Sequence, residues 1–344
     1  MKRTVKSLVC ILLIASLNVF MLSACDQQPV ESEEVSMVPN ITESAIPESP
    51  TPDVNASVVY FTADISAEGL IAIYEALGWT PTGKVAVKIH TGESEKSNYL
   101  RPELIKDLVE LVDGTIVECN TAYAGARSSA TLHMQVAEDR GFTEIADVDI
   151  QDADGSLSIP VTGGVHLTEN FVGASFPDYD SYIILSHFKG HAMGGFGGAI
   201  KNMSIGLASA EGKSWIHSAG RFKTGLSGIQ DYFLESMAEA GKSVSDYLGD
   251  GERIIYINVM NNLSPDCDCN DDPAPATMKD VGILASFDPV ALDQACVDFV
   301  YEQKDGDAAL LVWRIEELNG LHTLEYAEQI GLGTTSYVLV SIDE

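Results

Sequence analysis

The chain reads as an α/β protein, with mainly parallel sheets flanked by helices, in one large lobe or two closely packed lobes. Short runs rich in Val, Ile and Tyr alternate with longer stretches of helical periodicity. Helix-start signals fall where that alternation needs them, and a glycine-rich segment follows one strand directly. The expected strands are Val58–Ala63, Lys84–Ile89, Thr115–Cys119, Tyr182–Ser186, Arg253–Val259 and Tyr337–Ile342, with a further apolar strand bracketed by Asp280 and Asp288. The expected helices are Ala67–Gly78, Pro102–Val112, Ser129–Arg140, Ala199–Ala208, Gly228–Ala240, Pro289–Gln303, Ala308–Leu318 and Thr323–Gln329. Pro102 stands at a first helical position, where a missing N–H costs nothing. Asp288, just before Pro289, has the side chain of an N-cap. Residues Asp149–His166, with Gly155, Gly163 and Gly164, read as a small hairpin insertion.

The N-terminus has a different composition. Residues 1–24 carry Lys2, Arg3 and Lys6, then an apolar run to Leu22, and Leu22-Ser23-Ala24-Cys25 matches a bacterial lipobox. This predicts a cleaved lipoprotein signal peptide with Cys25 as the lipidated N-terminus, hence an envelope protein held at the membrane by its lipid and facing outside the cytoplasm. Residues 25–56 contain five prolines, seven acids and no Lys or Arg, the composition of a disordered tether. The folded domain is then 57–344. The formal net charge is −31, and removing the signal would take away three basic residues and no acidic one. Such a field opposes nucleic acid as a partner.

Against that acidic background, Ser186–His217 holds three lysines (Lys189, Lys201, Lys213), three histidines (His187, His191, His217) and six glycines between Gly190 and Gly206. A glycine-rich turn at a strand end lets backbone N–H groups converge on an anion, and the lysines would neutralise it. Gly194, Gly195, Gly197, Gly198, Lys201, Asn202 and Lys213 are therefore the candidate cofactor-binding residues, and His191, Lys189 and Lys201 the candidate catalytic ones. The same glycines would also serve close packing. Neither Lys201 nor Lys213 has the surroundings of a Walker loop. Lys88 and His90 share a strand face, and Arg127 suits a carboxylate.

Cys267 and Cys269 flank Asp268 just after a strand, and a Cys-x-Cys pair among carboxylates suits a soft or borderline metal. An exported chain with Cys119, Cys267, Cys269 and Cys296 left after lipidation equally suits a disulfide. Both readings stand at this level. Cys296 lies in an apolar helix and reads as core. With His217 as a further ligand, Cys267 and Cys269 form the candidate metal set, for iron, nickel or zinc.

Asn120–Arg127, the HFKGHAMGGFGGAIKNMSIGLAS segment with its later Gly-Lys and His217, then SPDCDC, DVGILASFDPVALDQA and LEYAEQIGLG, closely resemble, in order, the domain-of-unknown-function 362 family over Val58–Ile342. Some members are described as iron–sulfur-centre proteins, a description tied to a cysteine-rich ferredoxin insert. Here Ser218–Asp250 contains no cysteine, which argues against ferredoxin-type four-iron clusters. The glycine pair, Lys201, Ile205-Gly206 and His217 also resemble, more distantly, the lactate-racemase family. There the corresponding lysine is joined to a nickel-pincer nucleotide and the histidine ligates nickel. Phe196 and Ile205 replace the serine and proline of that pattern.

Two functions fit these residues. One is a metal- or cofactor-dependent enzyme acting on a small anionic substrate. The alternative is a non-catalytic metal, redox or ligand-binding module, with a redox partner.

Overall fold

The strands at Ser181–His187 and Ile254–Met260 are buried at all seven of their residues, so the sheet they form has to be covered on both faces. The computed structural model describes residues 55–304 and 306–343, which belong to one compact unit. In chain order its elements are β1 (Ser57–Thr62), α1 (Ala67–Ala76), β2 (Val85–Lys88), α2 (Pro102–Leu111), β3 (Gly114–Glu118), α3 (Ala130–Asp139), β4 (Val148–Ile150), β5 (Ser156–Pro160), β6 (Glu169–Gly173), β7 (Ser181–His187), β8 (Lys189–His191), β9 (Gly195–Gly197), α4 (Ala199–Lys201), α5 (Ala210–His217), α6 (Gln230–Tyr247), β10 (Ile254–Met260), β11 (Gly282–Ser286), α7 (Pro289–Glu302), α8 (Ala309–Glu317), α9 (His322–Gln329) and β12 (Tyr337–Ser341). The proposed signal peptide, Cys25 and almost all of the tether lie outside the described residues. No helix among those described is long and apolar enough to cross a membrane.

Eight strands form one sheet in the order β12-β1-β11-β10-β7-β2-β3-β4. β11 is antiparallel to both β1 and β10, and every other pairing is parallel. Alternate side chains feed two cores, as the period of a strand requires. Tyr182, Ile184, Ile254 and Tyr256 pack with Ala291, Leu311 and Leu324 of α7, α8 and α9. Ile183, Leu185, Ile255 and Ile257 pack with Ile73, Ile105 and Ala137 of α1, α2 and α3. The result is a mainly parallel sheet between two helical layers.

Local signals act as expected at several helix starts. Asp288 accepts from Val290 N at 2.8 Å and Ala291 N at 3.0 Å, and Pro102 opens α2. Cys296 is core. Other boundaries need correction. Residues 149–166 are not all insertion: Val148–Ile150 joins the sheet as its edge strand, and the hairpin pairs β5 with β6, which lies beyond His166. The helix expected at Ala199–Ala208 is one α-turn followed by a π-helical turn at Asn202–Gly206. A separate helix, α5, then starts on a Ser209 cap that accepts from Gly212 N at 3.1 Å. α6 runs on past Gly241 to Tyr247, with Gly241, Ser243 and Val244 still buried.

The glycine turn after β7 is itself a small hairpin, β8 with β9. Its exit into α4 is fixed from α7. Asp293 accepts from Ala199 N at 2.7 Å, from Ile200 N at 3.0 Å and from Asn258 Nδ2 at 2.7 Å. A Cβ on residue 198 would lie 2.2 Å from Asp293 Oδ1, so glycine is required there for this carboxylate to approach. Burial pushes the Asp293 carboxyl up to about 6 despite those three donors. Asp293→Asn places an NH2 against at least one N–H and should destabilise the fold by about 1–3 kcal/mol. Urea unfolding at pH 7.5 measures it.

Candidate functional site

β2, β3 and β4 are laid down in chain order toward one edge, and β7 then returns to the other side of β2 with β10 beyond it. In such sheets the carboxyl ends of the strands flanking the reversal open a crevice. Here that crevice is a cavity of about 240 Å³. Lys88, Glu118 and His187 reach it from the ends of β2, β3 and β7; Lys201, Lys213 and His217 come from the segment after β9, and Cys267 and Cys269 from the loop after β10. The Lys/His/Gly segment and the two cysteines thus line one cavity. Asn202 closes the gap between the two strands: its amide donates to Lys88 O at 3.3 Å, Leu185 O at 3.2 Å and Ser186 Oγ at 3.1 Å. That side chain therefore braces the strand ends at the site.

The cations divide into paired and unpaired. Lys88, 1% exposed, meets Glu118 Oε2 at 3.0 Å. Arg127 meets Glu93 at 3.1 Å and Glu118 at 3.8 Å. Lys189 meets Asp268 Oδ2 at 2.6 Å, and His187 Nδ1 meets Asp268 Oδ1 at 2.9 Å while its Nε2 faces Asn261 O at 2.6 Å. Burial works against charge on Asp268 and on Glu118. His187 and Lys189 outweigh it for Asp268, and Lys88 with His133 and His90 outweighs it for Glu118, so both carboxyls stay well below their usual range. Lys213 donates to Ala208 O at 2.6 Å and has no ion pair among the described residues. Lys201 has neither an ion pair nor a hydrogen bond at its amine among them. Loss of water, and then the charges of Lys189, Lys213, Lys88 and Arg127, bring its ammonium down to about 7.

The two candidate histidines are wired in opposite senses. His217 Nδ1 donates to Lys213 O at 2.6 Å, which leaves Nε2 with an open lone pair, and its ring stacks on Phe233. Burial lowers it to about 4, against the help of that carbonyl, so the imidazole is neutral at pH 7. His191 Nδ1 instead accepts from Met193 N at 3.2 Å and Gly194 N at 2.9 Å. Burial and Lys201 hold it well below the ordinary range, so its one proton sits on Nε2.

Cys267 and Cys269 are joined as a disulfide. Their sulfurs and a ring nitrogen of His191 lie within 4.8 Å of one another, a possible metal group in which His191 takes the place expected for His217. Gly197 and Gly198 line the cavity. Gly194 and Gly195 instead shape the β8–β9 hairpin, Gly195 at φ +78° against Gly320. The N–H groups after the glycine pair converge on Asp293, so the anion they hold is the protein's own. Glu118, Asp268 and Asp293 were not singled out by sequence. Only Asp268 carried a signal, its position between the two cysteines.

A family model described as domain of unknown function, DUF362, matches residues 85–298, from the start of β2 into α7. The chain belongs to the DUF362 family. No curated protein matches it in sequence. Among solved structures it is similar to the lactate racemase apoprotein from Thermoanaerobacterium thermosaccharolyticum, at 14% identity and a TM-score of 0.41 over 72% of this chain and 58% of that one. It is also similar to a protein from Thermotoga maritima, at 14% identity and a TM-score of 0.38 over 67% and 57%. The chain spans less than two thirds of either of those chains. Likenesses at this level do not inform the chemistry of the DUF362 cavity.

Whether this DUF362 cavity suits a metal depends on the donors. His217 suits one: a ligating imidazole holds its other nitrogen on a carbonyl, as Nδ1 does here. The His191, Cys267 and Cys269 group does not suit a cation as it stands. Its sulfurs are bonded to each other rather than present as thiolates, and the His191 lone pair at Nδ1 is taken by two N–H groups.

The Lys201 ammonium has a measurable cost. The unfolded chain keeps that proton to about pH 10.5 and the folded chain releases it near 7, so between these values the unfolded state binds more protons and stability rises with pH. Below pH 7 the penalty is complete. Lys201→Met should therefore raise Tm by about 2–4 °C or more at pH 6–7, with the gain vanishing as pH approaches 10.5. Thermal unfolding of both proteins across that range tests this.

Proposed function

We propose that this DUF362 protein is an enzyme that moves a proton on a small anionic substrate, with the Lys201 amine as the base and the surrounding cations holding the anion. The observation that carries the reading is the Lys201 amine itself: unpartnered among the described residues, lining the cavity, and poised near neutrality by its burial and then its neighbours. Lys213 has no carboxylate partner among the described residues, so an anion entering the cavity meets a positive group that the protein has not already neutralised. His191 Nε2–H is a donor and His217 Nε2 an acceptor, a pair able to orient a substrate hydroxyl or carbonyl. A metal-bearing cofactor would be held by His217 Nε2 and would supply an electrophilic centre. With Cys25 lipidated, the cavity would serve solutes outside the cytoplasm.

Amine-selective labelling across pH tests the base. Lys201 should react half-maximally near pH 7, well below any surface lysine, as read by peptide mass spectrometry. A panel of small carboxylates and phosphate esters in D2O tests the proton transfer. The wild type should exchange a carbon-bound proton of at least one, and Lys201→Met should lower that rate by about 10²-fold or more. Lys201 labelling only above pH 9, with no exchange across the panel, would refute the reading.

A further inference from the structure

One covalent feature of the cavity wall has no part in proton transfer. The Cys267–Cys269 disulfide lines the cavity, and it spans a sequence separation of only 2. A cross-link over so short a loop removes far less chain entropy from the unfolded state than one closing a long loop. The segment is also held without it. Gly190 N donates to Ser264 O at 2.8 Å, Glu93 N to Asp268 O at 2.8 Å and Ser97 Oγ to Asn270 O at 2.7 Å. Asp268, between the two cysteines, is anchored by Lys189 and His187. The bond is therefore redundant as a brace, yet it lines the cavity in which the proposed substrate anion would bind. Cys267 is 5% exposed and Cys269 is the more accessible.

We propose that Cys267–Cys269 is a thiol–disulfide exchange site whose electron donor is a small thiol carrying carboxylates. Lys213, and Lys201 when protonated, line the same cavity without a carboxylate partner among the described residues and draw such a donor in, and a neutral or cationic thiol gains nothing from them. Its thiolate attacks Cys269 Sγ, forming a mixed disulfide and breaking the Cys267–Cys269 bond. The electron pair leaves on Cys267 Sγ, which takes a proton from solvent, with a His191 ring nitrogen within 4.8 Å. A second thiolate attacks the donor sulfur of the mixed disulfide and releases Cys269 as a thiolate, which is protonated in turn. Two thiols become one disulfide, and two electrons and two protons reach the protein. This exchange does not require Lys201 to act as a base.

The test follows reduction of the folded full chain by glutathione, which carries two carboxylates, and by cysteamine, which carries none, at matched thiolate concentration. Acid quenching, maleimide labelling and peptide mass spectrometry read the products. Glutathione should react at least tenfold faster, through a mixed disulfide at Cys269, and added salt should shrink the ratio. The Cys267→Ala/Cys269→Ala double variant should melt within a few degrees of wild type. Equal or faster reaction with cysteamine, reduction only after unfolding, or a large loss of Tm in the double variant would overturn the proposal. So would a pair isolated reduced with one equivalent of metal bound.

Discussion

Placing five cationic side chains around one cavity is the constraint on which the rest of the site depends. A charge withdrawn from water must be paired or must yield its proton. The fold uses both solutions. Glu118 and Asp268 take Lys88, Arg127 and Lys189, and become strongly ionised carboxylates in return. Lys201 is left to the second solution, and its lowered affinity for a proton results first from its burial and then from the three lysines and one arginine around it. A base near neutrality thus arises from an amine buried without a carboxylate partner among the described residues.

The sheet brings those charges together. Strand order reverses between β2 and β7, so their carboxyl ends part, and Asn202 fills the parting with an amide whose donors go to backbone carbonyls and Ser186 Oγ. The π-helical turn starting at Asn202 follows Lys201 directly, and both residues line the cavity. The glycines nearby are there chiefly for approach. Gly198 admits the Asp293 carboxylate, and a Cβ at Gly190 would meet Pro265 O at 2.2 Å, so that glycine lets the cysteine loop lie against β8.

Much of the fold was legible. The six strands read from Val, Ile and Tyr runs all exist, with no end shifted by more than one residue; the central ones are buried on both faces and so have little freedom in composition. The weaker signals failed for physical reasons. Val148–Ile150 is too short to show a period and is a strand only because β3 lies beside it. The β8–β9 hairpin is so rich in glycine that no propensity marks it. His217 and His191 were both recognised as chemical, but the donor or acceptor sense of each ring is set by which backbone group its Nδ1 meets.

The sequence by itself determined the α/β class, the family, and the two short segments in which lysine, histidine, glycine and cysteine are concentrated. Those are properties of neighbours along the chain. Tertiary structure alone decided which charges are neutralised and which are left over. Lys88 meets Glu118 from 30 residues away and His187 meets Asp268 from 81. Such partners are chosen by strand order and register, and a proton's affinity for Lys201 depends on all of them at once.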